Sequence, residues 1–159
     1  MSTNKNIQII EGDLNKAEHV EHFLTLTAGY MSDPMGQVAP WNEQQKIDLI
    51  REMKSHPCAL ILFAKIDEKF VGICTCFYAY STFLAKPLLN IHDIYVDESF
   101  RSMGVAKELL RELGEVAAKN NCGKITLEVR KDNLNARDLY KTQGFTEAPH
   151  SMFFWIKYL

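Results

Sequence analysis

The chain has 159 residues, 47% of them hydrophobic, which suits one domain (1–159) burying roughly two-thirds of its unfolded surface. Its 18 Lys and Arg against 20 Asp and Glu give a formal net charge of −2, without the basic footprint that nucleic-acid binding needs. Residues Met1-Ser2-Thr3-Asn4-Lys5-Asn6 lack the apolar core of a signal peptide and no apolar run approaches a membrane span, so a soluble, cytoplasmic protein is expected, with no nucleic-acid or membrane partner.

Ile7–Glu11 reads as a first short strand. Asp13 is placed to cap a helix from about Leu14 to Thr27, with Val20, Phe23, Leu24 and Thr27 on one side. The stretch from Gly29 to Gly36, with Asp33-Pro34 inside it, breaks that helix into a loop. A second helix is expected over Glu43–Lys54, with Ile47, Ile50 and Met53 inward, ended by His56-Pro57. Cys58–Ile66 and Phe70–Tyr80 are apolar, β-branched and aromatic runs around Asp67-Glu68-Lys69, the pattern of a hairpin. Pro87–Val96 is the next strand. Gly104–Asn120 is an amphipathic helix with Val105, Leu109, Leu113, Val116 and Ala117 on one face. Lys124–Val129 follows as a strand, Asn133–Thr142 as a short helix closed by Gly144, and Met152–Tyr158 as a terminal strand. The order β-α-α-β-β-β-α-β-α-β predicts an α/β (α+β) fold, a mixed central sheet flanked by helices.

Cysteines occur at 58, 74, 76 and 122, in no spacing that suits a zinc site or a disulfide framework. No metal is expected, and buried reduced thiols are. Cys74 and Cys76 alternate along a strand, so both point to one face.

The run Arg101-Ser102-Met103-Gly104-Val105-Ala106 joins a strand to a helix. Such a junction leaves backbone N–H groups unpaired at the positive end of the helix dipole, where phosphate binds well. Gly104 and the small Ala106 permit close approach, and the Arg101 guanidinium at the mouth suits phosphate oxygens. An ordinary helix start is the plainer account of the same six residues.

Two segments together resemble the GNAT superfamily of N-acetyltransferases. Asp93-Ile94-Tyr95-Val96 followed by Arg101-x-x-Gly104-x-Ala106 resembles that family's acetyl-CoA pyrophosphate loop. Asn133-x-x-Ala136-x-x-x-Tyr140-x-x-x-Gly144-Phe145 resembles its second cofactor motif, and the likeness covers roughly residues 58 to 146. Ser102 stands where the family often carries glycine or another small or basic residue; the loop's donors are backbone groups, so it persists. The likeness implies acetyl-CoA as acetyl donor. It also implies a splayed or bulged fourth strand whose backbone near Ile94–Val96 pairs with pantetheine. Asn133, Ala136 and Tyr140 share one helical stripe. Asn133 suits the helix start and the pantetheine arm, Ala136 lets the cofactor pass, and Tyr140 resembles the general acid at the thioester sulfur. A stripe at this spacing is also what the buried face of a short helix looks like.

Amine acetylation requires a deprotonated amine, a stabilised carbonyl oxygen and a hydrogen bond or proton for the departing thiolate. His92 is the candidate base by intrinsic pKa, in a place where relatives acting on polyamines and diamines often carry glutamate. A water relay or a core histidine bonded to a neighbouring strand are the alternatives. Asp93 would face away from His92 in a regular strand; a bulge would turn it to the cleft, where it suits a substrate ammonium or a structural hydrogen bond. Tyr30 and Asp33 are candidates for acceptor recognition, Asp33-Pro34 being also a simple turn. The expected activity is acetyl transfer from acetyl-CoA to a primary amine of a small molecule (a diamine, polyamine or amino-acid derivative) in a ternary complex. A protein or peptide acceptor and a non-catalytic acyl-CoA sensor are the alternatives. The aromatic run Met152-Phe153-Phe154-Trp155-Ile156 suits either the interior or a homodimer contact.

Overall fold

A computed structural model of the chain describes residues 6–150 and 152–159. Among these, β1 (Ile7–Glu11), β2 (Ala59–Ile66), β3 (Lys69–Ser81), β4 (Lys86–Val96) and β5 (Lys124–Leu127) form one sheet in chain order. All neighbours are antiparallel except β4 and β5, which run parallel, with the helix α3 (Val105–Lys119) as their crossover. The helices α1 (Ala17–Ser32) and α2 (Glu43–Ser55) pack on one face, and α3 and α4 (Leu134–Thr142) cover the other. No helix among the described residues is long and apolar enough to cross a membrane.

Each face buries its own cluster. Phe23 and Leu26 of α1 meet Ile61, Phe63, Phe70 and Ile73 of the sheet. On the opposite face Val105, Leu109, Leu113 and Ala117 of α3 meet Leu62, Ala64, Cys74, Cys76 and Leu89. That is the helical stripe expected from the sequence, with Val116 at its edge and Leu110 added to it. The β2–β3 turn is tighter than the expected three residues. Asp67 and Glu68 take φ of 48° and 66°, a two-residue turn matching strand twist, and Lys69 pairs with Ile66.

Several boundaries differ, each for a reason outside the local sequence. Asp13 does not cap α1: the helix begins at Ala17 after Lys16, with no side-chain cap. Asp13 Oδ1 instead accepts from the backbone and side-chain amides of Asn15, and its N–H donates to Nδ1 of the buried His19 at 2.9 Å. Nor does Gly29 break α1, which runs on to Ser32. A Cβ on Gly29 would lie 2.9 Å from the Tyr95 ring, so packing against β4 outweighs the roughly 1 kcal/mol helix penalty of glycine. Ile47 of α2 points outward at 59% exposure, whereas Ile50 and Met53 join the core. Cys74 and Cys76 are buried on one face with their sulfurs 3.4 Å apart and unbridged, but Cys58 and Cys122 are only half-buried.

The expected terminal strand is not formed. Residues 152–159 have no regular structure, and Phe153, Phe154 and Trp155 are exposed. Aromatic composition favours a strand only where a neighbouring ladder accepts it, and no such pairing exists for the described part of this segment.

Candidate active site

The site begins with an irregularity in β4. Thr75 pairs with Asp93 but Cys76 pairs with Ile91, so His92 is an extra residue, a β-bulge. In a regular strand His92 and Asp93 would face opposite ways; here Nδ1 of His92 lies 2.9 Å from Oδ2 of Asp93. A carboxylate only accepts, so this bond keeps the proton on Nδ1 and leaves Nε2 free. The hydrogen bond to Asp93 raises the His92 pKa above 6.5 against the opposing effect of burial, aided by the charges of Asp93 and Glu128. The His92 side chain is 64% exposed and bonded to its own neighbour in sequence, so it is not a core histidine.

The bulge coincides with the parting of two strands. Pairing of β4 with β5 stops at Ile91 and Leu127, while β4 continues to Val96 bonded to β3 alone. Ile94–Val96 therefore has no strand on its second backbone edge, where the Val96 carbonyl instead accepts from Arg101 Nε at 3.1 Å. A cavity of about 500 Å³ occupies the gap. Ile91, His92 and Ile94 line it from β4, and residues 127–130 line it from the end of β5. Asn133, Ala136 and Tyr140 close one side, and Tyr30 and Met35 the other.

Tyr140 is 8% exposed, its ring 5.7 Å from that of Phe145. Burial pushes its phenol pKa up to about 12, aided by Cys74 and Tyr30, so the hydroxyl stays protonated throughout the physiological range. Tyr30 is raised too, by burial and then by the charges of Asp93 and Asp33. Asn133 caps α4 by accepting from the Ala136 N–H at 3.2 Å, which fixes the turn carrying Ala136 to the cavity.

At the start of α3, Gly104 has φ +86°, and a Cβ there would meet nothing within 4 Å. The backbone N–H groups of residues 102–107 donate to no described residue. Ser102 also lies in the left-handed region, φ +60°. That conformation costs a non-glycine residue roughly 1–2 kcal/mol, which explains why glycine is favoured there. Ser102→Gly is expected to stabilise the fold by up to roughly 1 kcal/mol, once the extra unfolded-state entropy of glycine is set against the relieved strain, and so to raise the urea midpoint. A lowered midpoint would show that the loop does not hold this conformation.

Arg101 does not reach outward as the sequence suggested. Its Nη2 lies 2.6 Å from Asp33 Oδ2, its Nε donates to the Val96 carbonyl at 3.1 Å, and its guanidinium stands over the Tyr95 ring. Asp33 is correspondingly absorbed by this pair and by the Met35 N–H, and does not itself line the cavity.

A parted strand pair and a buried tyrosine share one cavity, and a helix start with free N–H groups follows β4. The model of the acetyltransferase (GNAT) family matches residues 22–145, most of the chain. The chain belongs to the GNAT acetyltransferase family. It spans about half the length of the curated relatives it matches. The thialysine N-epsilon-acetyltransferase of Bos taurus is 33% identical over 81 residues, 49% of this chain and 47% of that protein. The L-ornithine N5-acetyltransferase NATA1 of Arabidopsis thaliana is 32% identical over 106 residues, 66% of this chain and 46% of its own length. A solved probable acetyltransferase shares the fold with a TM-score of 0.82, covering 96% of this chain and 98% of its own at 21% identity.

GNAT enzymes take their acetyl group from acetyl-CoA, a thioester with a diphosphate and a pantetheine arm. The free N–H groups of residues 102–107 and the open space at Gly104 fit a diphosphate. The open edge of Ile94–Val96 fits an arm with amide groups. Within this GNAT domain the cavity also holds residues that the sequence did not single out: Met35, Glu128 and Arg130. Glu128 carried a signal, a carboxylate near the carboxyl end of the expected strand Lys124–Val129, which the structure shows to run parallel to β4. Met35 carried none, since only the loop after α1 brings it there.

Proposed function

We propose that this chain transfers the acetyl group of acetyl-CoA to a primary amine of a small molecule by direct attack in a ternary complex. One observation carries the proposal: His92, paired with Asp93, and the Tyr140 phenol line the same cavity in the β4–β5 gap. The free Nε2 of His92 takes a proton from the incoming ammonium. The amine nitrogen then forms a bond to the thioester carbonyl carbon, and the carbon–sulfur bond breaks. Tyr140 donates its hydroxyl proton to the departing thiolate as general acid, and the proton that the nitrogen sheds as the amide forms returns the phenolate to its neutral state through solvent. Its pKa of about 12 ensures that the donor is present in its neutral form at every working pH. Backbone N–H groups of Ile94–Val96 orient the arm and polarise the carbonyl. Residues 102–107 hold the diphosphate.

The acceptor is read from charge. Glu128 lines the cavity and Asp93 bears on His92 from behind it, while the guanidinium in the lining, Arg130, is engaged by Asp132; this balance suits a cationic amine. The names of two relatives, a thialysine and an ornithine acetyltransferase, support an amino-acid side-chain amine or a related diamine. The test is thiol release from acetyl-CoA across diamines, basic amino acids, aminoglycosides and peptides. Acetyl-CoA binding without turnover on any amine would favour a sensor instead.

The pH dependence follows from the base. A protonated His92 cannot accept, so kcat/KM should climb as pH rises through the raised His92 pKa, placing the acid limb above 6.5. Asp93→Asn removes the main cause of that rise, so the limb should move to lower pH while the plateau falls. His92→Ala should abolish the limb, with partial recovery at high pH where the amine deprotonates unaided. An acid limb identical in all three proteins would exclude His92 as the base.

A further inference from the structure

The donor and acceptor halves of the site are tied together by one ion pair, Arg101–Asp33, made across 68 positions of sequence. Arg101 opens the loop that precedes α3, and Asp33 ends α1. The guanidinium has three engagements: Asp33 Oδ2 at 2.6 Å, the Val96 carbonyl at 3.1 Å and the face of Tyr95, whose own ring packs on Gly29 of α1. The Asp33 carboxylate has two, since Oδ1 also accepts from the Met35 N–H at 2.8 Å. Asp33 further organises residues 33–38 through its carbonyl, which accepts from the N–H groups of Gly36 and Gln37. Met35 and Tyr30 then stand in the cavity wall. The Asp33 side chain is only 12% exposed. Burial by itself would raise its carboxyl; the Met35 N–H and the Arg101 guanidinium outweigh that and hold it below the usual carboxylate range.

We propose that Arg101 is a positioning residue rather than a phosphate ligand: with Asp33 it latches the diphosphate loop to the acceptor wall, so that bound acetyl-CoA stiffens the wall around Met35 for the amine. This rests on the reading of the loop as the acetyl-CoA site. The geometry explains how binding at one end reaches the other. A diphosphate bound to the N–H groups of residues 102–107 restrains Arg101, which restrains Asp33, which restrains the Met35 N–H. The linkage is reciprocal, so a seated amine strengthens acetyl-CoA binding by the same factor.

The experiment compares wild type with Arg101→Gln, Asp33→Asn and the double variant, with Arg101→Lys as the conservative replacement. Amide hydrogen exchange is followed with and without acetyl-CoA, alongside the acetyl-CoA Kd, the amine KM and kcat. In wild type, acetyl-CoA should slow exchange of the residue 35–38 amides, and in both single variants that protection should vanish. Each single variant should raise amine KM roughly tenfold, within the span of ordinary site-to-site coupling, with acetyl-CoA Kd changed less than about threefold in the absence of amine. The double variant should be no worse than either single one, because one interaction is lost in all three. Arg101→Lys, which keeps one donor for Asp33, should recover most of the KM. Weakened acetyl-CoA binding in Arg101→Gln alone, with Asp33→Asn unaffected or tighter, would make Arg101 a phosphate ligand and overturn the latch. Wild-type protein that binds no acetyl-CoA would overturn the donor-site reading beneath it, and the latch with it.

Discussion

Tyr140→Phe is expected to lower kcat by about 10²–10⁴-fold, the span of general acid catalysis, and to leave acetyl-CoA affinity nearly unchanged. The ring is buried against Phe145 and shares the core with Leu109 and Leu113, and phenylalanine preserves that packing. The hydroxyl bonds to no described residue, so its removal strands no partner and thermal stability should hold. Under the proposed mechanism, what is lost is the cavity-lining donor for the departing thiolate. Two further readouts distinguish this role from a merely structural one. The defect should shrink with an acyl thioester whose thiol is more acidic, because a weaker base needs less help in leaving. The acid limb set by His92 should stay in place, since the phenol, at about 12, contributes no titration near neutrality. Activity within threefold of wild type, measured by thiol release, would remove Tyr140 from the mechanism.

Gly104→Glu should weaken acetyl-CoA binding by at least about a hundredfold, through two additive causes. A side chain there fills the open space that a diphosphate would take against the backbone, and a carboxylate adds like-charge repulsion; the roughly 1–2 kcal/mol of strain at φ +86° falls on folding stability instead. Nothing lies within 4 Å of where a Cβ would stand, so no protein atom clashes and the fold should tolerate the change. Gly104→Ala carries the same strain without the bulk and charge, so its melting temperature should fall alike while its affinity falls far less. Titration calorimetry with acetyl-CoA and a melting curve on each protein make the comparison. Full affinity in Gly104→Glu would mean that the diphosphate does not sit against this backbone.

Much of the architecture was legible from local pattern, because period and punctuation act over a few residues. The stripe Val105, Leu109, Leu113 and Ala117 is a helix face wherever it is placed, and it is buried as such. Gly144 at φ +83° closes α4 and Asn133 caps it, as their residue types suggest. The terminal run at 152–158 misled for the complementary reason: strand propensity expresses fit to a neighbour, and the neighbour is not encoded in the run. Gly29 misled likewise, its place inside α1 being set by the ring of Tyr95, far away in sequence.

The site divides along the same line. Backbone features were readable from sequence alone: a strand, a small-residue loop and a helix start leave free N–H groups, atoms that every residue of the loop carries. Side-chain partnerships were not. That Arg101 meets Asp33, that a bulge sets His92 beside Asp93, and that Glu128 and Met35 enter the same cavity all depend on contacts between segments distant in the chain. The sequence by itself therefore determined most of the elements and the family, which local patterns carry. Only the tertiary structure decided which charges pair, because a short-range pattern specifies where a side chain sits on its own element and says nothing of which other element it meets.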